Sequence, residues 1–134
     1  IEPAAVVKLL NINAFVVYDS DTDLEEKYHH QHKPDNKKLL TIQGHDAVDE
    51  FQAANVIKNN LWAWQSNLGK EVQSEIPNWK TYFDAASLEF GNAGGLHKNP
   101  LVVARTLELA WLKGEVSPNL IKLIENIIEF GKVK

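Results

Sequence analysis

The chain has 134 residues, 44% of them hydrophobic, with 14 basic against 18 acidic side chains and a sequence pI near 5.7. This is the size and composition of one globular domain, and its acidic balance gives no general attraction to nucleic acid or to an anionic membrane; any nucleic-acid contact has to be local or metal-mediated. The absence of cysteine excludes disulfides, thiolate zinc sites and cysteine nucleophiles, while the first residues lack the form of a signal peptide and no apolar run is of membrane-spanning length. A soluble, cytoplasmic chain is expected. Methionine is absent as well, and the expectation is that residues 1–134 form a single domain cut from the C-terminal part of a longer protein.

Pro3 to Leu10 carries apolar residues at helical spacing behind a first-turn proline and predicts a short helix. The continuous apolar run Ala14-Phe15-Val16-Val17-Tyr18 predicts a strand covered on both faces, as in a parallel sheet. From Leu24 to Lys38 the chain is polar and includes His29, His30, His32 and Pro34, a composition that predicts an exposed loop or mobile flap. Helices are predicted over Asn36–Gln43, stopping at Gly44, and over Val48–Lys58, with a second strand at Leu61-Trp62-Ala63-Trp64. Asn67 is placed to cap a helix whose stripe is Leu68, Val72 and Ile76 and whose end is marked by Pro77.

A further helix is predicted from Trp79 to Phe90, followed by the loop Gly91-Asn92-Ala93-Gly94-Gly95. Asn99-Pro100 and Ser117-Pro118 each join a cap to a first-turn proline. They open helices to Leu112, stopped by Gly114, and to about Phe130, stopped by Gly131. The last of these is expected to bury Leu120, Ile121, Ile124, Ile127 and Ile128 on one face. The four tryptophans, Trp62, Trp64, Trp79 and Trp111, are expected in the core or between helices.

The chemistry is concentrated in Tyr18-Asp19-Ser20-Asp21-Thr22-Asp23, where a buried strand ends in three carboxylates separated by small hydroxyl residues. Like charges held that close raise one another's pKa and cost stability unless a cation neutralises them, and hard oxygen donors suit Mg2+, Mn2+ or Ca2+. Ligands of open parallel sheets bind beyond the carboxyl ends of strands, where these acids fall. The competing reading is an Asp-rich turn that caps a helix. An EF-hand loop does not fit, because the glycine and the bidentate glutamate it requires would be Leu24 and His30. A haloacid-dehalogenase-like phosphohydrolase, with Asp19 as nucleophile and Asp21 as acid/base, is the alternative, although Asp23 stands where its motif has threonine.

Three other groups are candidates. Lys98 and Asn99 lie at a helix start, where backbone N–H groups and the dipole favour phosphate. Glu71 and Glu75, one turn apart, are candidates for a further metal ligand. His29, His30, His32 and His45 are read as surface residues, with His29 or His30 near enough to Asp23 to reach substrate.

The order of these features, an apolar strand ending in Asp19-Ser20-Asp21-Thr22-Asp23, a strand–helix unit with acids, Lys98-Asn99-Pro100 and two closing helices, resembles the Toprim nuclease domain of the OLD (overcoming lysogenization defect) family of ATP-dependent endonucleases, which includes phage-defence proteins. The resemblance spans roughly Pro3 to Gly131. It implies an α/β Toprim-like fold, a parallel sheet flanked by helices with closing C-terminal helices, and metal-dependent cleavage of DNA at a two-metal Mg2+ or Mn2+ site, Ca2+ being an inactive substitute. It assigns Asp19, Asp21 and Asp23 to the metals, leaves Glu71 or Glu75 as the later acid, and gives Lys98 a part in cleavage. The family's catalytic glutamate follows an earlier strand that is not among these residues, so the isolated piece is expected to bind metal weakly and not to cut. DNA, an N-terminal ATPase domain in the parent chain and a second copy are the partners implied; a non-catalytic Toprim-like module is the remaining alternative.

Overall fold

A computed structural model describes residues 2–46, 51, 53–91 and 99–132. Among them the chain is a mixed α/β protein with six helices and a three-stranded sheet. It divides into two compact units, Ile1–Glu71 with Leu123–Lys134, and Val72–Lys122.

The first unit begins with α1 (Glu2–Leu9) and β1 (Val16–Asp19). The sheet is completed by β2 (Val56–Lys58) and β3 (Leu61–Trp64) in the order β1-β3-β2. β1 runs parallel to β3, Val16 opposite Leu61 and Asp19 opposite Trp64, whereas β2 is antiparallel to β3 across the two-residue turn Asn59-Asn60. The expected parallel sheet is therefore a mixed one, and the helix predicted over Val48–Lys58 is corrected at its end: residues 56–58 are extended because the short turn delivers β-branched Val56 and Ile57 directly onto β3. Residues 47–50 and 52 lie outside the described residues.

Strand periodicity sorts β3 into two faces. Leu61 and Ala63 pack with Leu40, Tyr18 and Val56. Trp62 and Trp64 point to the other face, fully buried, with ring centroids 5.2 Å apart.

The largest departure from expectation is α2 (Glu26–Ile42), which occupies the segment predicted to be an exposed loop. Its inner face carries His29, His32, Asn36 and Leu40 at helical spacing, so three of the four inward positions are polar and the helical period is invisible to a hydrophobicity pattern. Pro34 lies inside the helix on its exposed side. The helix stops as predicted, with Gly44 at φ 83°.

α3 (Leu68–Glu75) starts where Asn67 caps it, the Lys70 N–H donating to Asn67 Oδ1 at 2.9 Å. In the second unit come α4 (Trp79–Glu89) and α5 (Pro100–Leu112), and α6 (Pro118–Lys132) leads out of it. One cluster joins Phe83, Ala86 and Val102 with Trp79 and Leu109, and another joins Val72, Ile76 and Ala110 with Tyr82, Leu107 and Leu120. Gly114, at φ 77°, ends α5. Gly131 does not stop α6, which continues to Lys132. Two packing expectations are corrected: Trp111 is exposed, and in α6 the buried residue is Leu123 whereas Ile124, Ile127 and Ile128 are exposed. Helical spacing identified an apolar stripe, but burial is set by which neighbours the helix meets.

Candidate functional site

The acidic loop is built as a continuation of the parallel pair. Beyond Asp19 the backbone keeps bonding to the strand beside it, Ser20 N–H to Trp64 O and Asp21 N–H to Ser66 O at 2.9 Å each, then Thr22 N–H to Gln65 O at 3.3 Å. Asp21 adopts the left-handed conformation, φ 54°, which a short polar side chain tolerates better than an apolar one. This turns the chain towards α2, whose inner face holds the loop in place. Asn36 Nδ2 donates to Ser20 O at 2.9 Å, His32 Nδ1 lies 3.3 Å from Asp21 Oδ2, and His29 Nε2 is 2.8 Å from Leu24 O. Asn36 and Ser20 are both buried.

Each aspartate has its own partner. Asp19 Oδ1 accepts from the Leu68 N–H at 2.9 Å, placing a carboxylate at the N-terminus of α3, where free N–H groups and the helix dipole favour negative charge. Asp21 lies beside His32, and Asp23 accepts a hydrogen bond from the Lys70 ammonium. Asp19 and Asp23 both lie near enough to act on Asp21. Burial pushes the Asp21 pKa up, His32 opposes this, and the charges of Asp19 and Asp23 push it further up. Asp23 is held below the usual carboxylate range, first by the hydrogen bond from Lys70.

The remaining candidates separate. Glu71 Oε1 accepts from the Ser66 N–H at 3.0 Å, and Ser66 is the residue whose carbonyl holds Asp21, so Glu71 adjoins the acidic loop through one residue. Glu75 caps α6 instead, accepting from the Ser117 hydroxyl, from Asn119 Nδ2 at 2.6 Å and from the Asn119 N–H at 3.3 Å. Asn99 uses Oδ1 to cap its own helix through the Leu101 N–H at 3.0 Å; Lys98 lies outside the described residues. The histidines read as surface residues have structural duties: His29 and His32 bind the acidic loop, and His45 Nε2 lies 2.7 Å from Asn60 Oδ1. Sequence reasoning missed His32, Lys70 and Asn36. The spacing of 29, 32 and 36 along a helical face was the signal available for two of them.

Hard carboxylate oxygens suit a divalent cation, and the bonds to Leu68 and His32 occupy one oxygen each of Asp19 and Asp21. As placed, however, no three His, Asp or Glu side chains among the described residues are gathered about one point that could hold an ion. Lys70 supplies a counter-charge to Asp23, and the His32 imidazole lies beside Asp21. No helix among the described residues is long and apolar enough to cross a membrane. No family model matches the chain, and neither a curated protein nor a solved structure matches it.

Proposed function

We propose that the chain is the catalytic part of a Toprim-like, divalent-metal-dependent DNA endonuclease of the OLD type, with Asp19, Asp21 and Asp23 as the acids that take Mg2+ or Mn2+. The observation that carries this reading is the placement of three aspartates within five residues at the carboxyl end of β1, next to its parallel neighbour and to the start of α3, with Asp19 and Asp23 near enough to raise the pKa of Asp21 between them. Bound there, the metal would supply Lewis acidity and an activated water for phosphodiester hydrolysis. The protein's own part is positional: the ladder from Ser20 to Thr22, Asn36 and His29 fix the loop backbone, and Glu71 steadies Ser66 beneath it. Lys98 on phosphate, an upstream ATPase domain and glutamate-bearing strand, a role in phage defence and a cytoplasmic location belong to the same proposal.

A second reading is favoured by one observation. Asp21 and Asp23 already have side-chain partners, the His32 imidazole and the Lys70 ammonium, as in a Toprim-like module that binds without catalysis. Calorimetric titration with Mn2+ separates the two. The nuclease reading expects weak binding that is lost in Asp19→Asn and Asp21→Asn; equal heats in wild type and both variants would remove it. Asparagine is chosen because it keeps the left-handed backbone at position 21 accessible.

A further inference from the structure

The first unit holds a concave site away from the aspartates. It is an open cleft of about 500 Å3, a volume within the range of small-molecule sites, and half of its lining residues are asparagine: Asn13, Asn59, Asn60 and Asn126. Asn59 and Asn60 form the turn between β2 and β3, and Asn13 lies in the loop before β1, places where asparagine is common for backbone reasons alone.

Asn126 has no such reason. It stands in the middle of α6, where asparagine is a poor helix former, and it is half-buried. Among the described residues its amide has no hydrogen-bond partner, and the same holds for Asn13 and Asn59. Asn60, in contrast, is fixed: its Nδ2 donates to Gln43 O at 3.2 Å and to Gln43 Oε1 at 3.0 Å, and its Oδ1 meets His45. The cleft therefore combines a fixed polar wall, three amides free to both donate and accept, and the apolar surface of Ile57 and Phe130, the latter ring set edge-on to Phe15 at 5.6 Å.

We infer that this cleft binds a hydroxylated ring, a monosaccharide unit. Each hydroxyl is at once donor and acceptor, as each amide is, and the C–H face of such a ring packs on an aromatic and an aliphatic side chain. The lining carries one cationic and one anionic side chain, Lys58 and Glu129, which suits an uncharged ligand. The same chemistry is offered by a free saccharide and by the ribose of a nucleoside.

The test is a 15N-resolved NMR titration of the chain with glucose, ribose, adenosine and uridine in separate arms, monitoring the side-chain amides of Asn13, Asn59 and Asn126. Saturable shifts at these amides are expected in at least one arm; shifts with both nucleosides and ribose but not glucose assign the ribose, and shifts with glucose assign a free sugar. Asn126→Leu is expected to weaken binding at least about tenfold with a melting temperature equal to or above that of wild type, because leucine is the better helix former. Asn13→Ala, in a loop, is a second variant expected to weaken binding with the fold intact. No saturable shift in any arm, or unchanged affinity in both variants, overturns the inference.

Discussion

Among the contacts that hold the acidic loop, one comes from a buried side chain of α2, and Asn36→Ala measures how strongly it acts. Asn36 Nδ2 donates to Ser20 O at 2.9 Å with both residues buried. The substitution leaves a buried carbonyl without that donor, at a cost of about 1–3 kcal/mol. Alanine's higher helix propensity returns roughly 0.5 kcal/mol. Asn36 makes a further interaction, whose loss adds to the cost. The net expectation is a destabilisation of about 1–2 kcal/mol, a five- to thirtyfold shift in the folding equilibrium. Urea denaturation reads it as a lower midpoint at unchanged slope. The control is Thr41→Ala on the exposed side of the same helix, where the hydroxyl only bonds back to Lys37 O at 3.0 Å; the expected change is between zero and about 0.5 kcal/mol, stabilising. If Asn36→Ala falls within about 0.3 kcal/mol of wild type while the control behaves, the claim that α2 fixes the loop through Asn36 is wrong.

Glu75→Ala removes the acceptor that caps α6, and urea denaturation is expected to show a loss of about 1–2 kcal/mol, with Mn2+ affinity unchanged. Asp21→Asn tests the sign of a pKa shift. Because the Asp21 carboxyl is raised above its ordinary value of 3.8 in the folded state, the folded protein binds the proton more tightly, and ionisation at neutral pH opposes folding. Asparagine should therefore raise the melting temperature at pH 7, and the gain should disappear as the pH falls below the ordinary carboxylate range, where both states of the wild type are protonated. Gly114→Ala has no steric obstacle, since nothing lies within 4 Å of the added Cβ, but it places a side chain at φ 77°; a loss of about 1 kcal/mol is expected in thermal or urea melts, attributable to backbone strain alone.

The elements legible in the sequence are those whose signals are local. Asn99-Pro100 and Ser117-Pro118 fixed two helix starts, and Gly44 and Gly114 two helix ends. The run Leu61–Trp64 is buried at every position, as a continuous apolar strand should be. What escaped was decided by tertiary partners. α2 has the composition of a loop because its inward face includes His29, His32 and Asn36, whose polar atoms meet the acidic loop, His29 and Asn36 at backbone carbonyls and His32 at the Asp21 carboxylate. Strand β2 is only three residues long and owes its conformation to β3. The α6 stripe was correct as periodicity, yet it is Leu123 that the fold buries.

The same dependence governs the candidate site. From the sequence, Asp19, Asp21 and Asp23 form one acidic run whose charge requires compensation, by a cation or by the helix start that an Asp-rich turn caps. In the fold that requirement is divided: the N-terminus of α3 takes Asp19, an imidazole of α2 faces Asp21, and the first turn of α3 sends Lys70 to Asp23. The Lys70 pair is solvent-exposed on the lysine side, and such pairs contribute only about 0.2–1 kcal/mol. A divalent ion, with twice the charge and several oxygen donors to engage, exchanges against that small interaction more readily than against a buried pair. The helix N-terminus is a different competitor, because the Leu68 N–H uses one oxygen of Asp19 and leaves the other unengaged among the described residues. Of the interactions that engage the three aspartates, the exposed pair of Asp23 and Lys70 is thus the one a cation would displace most readily.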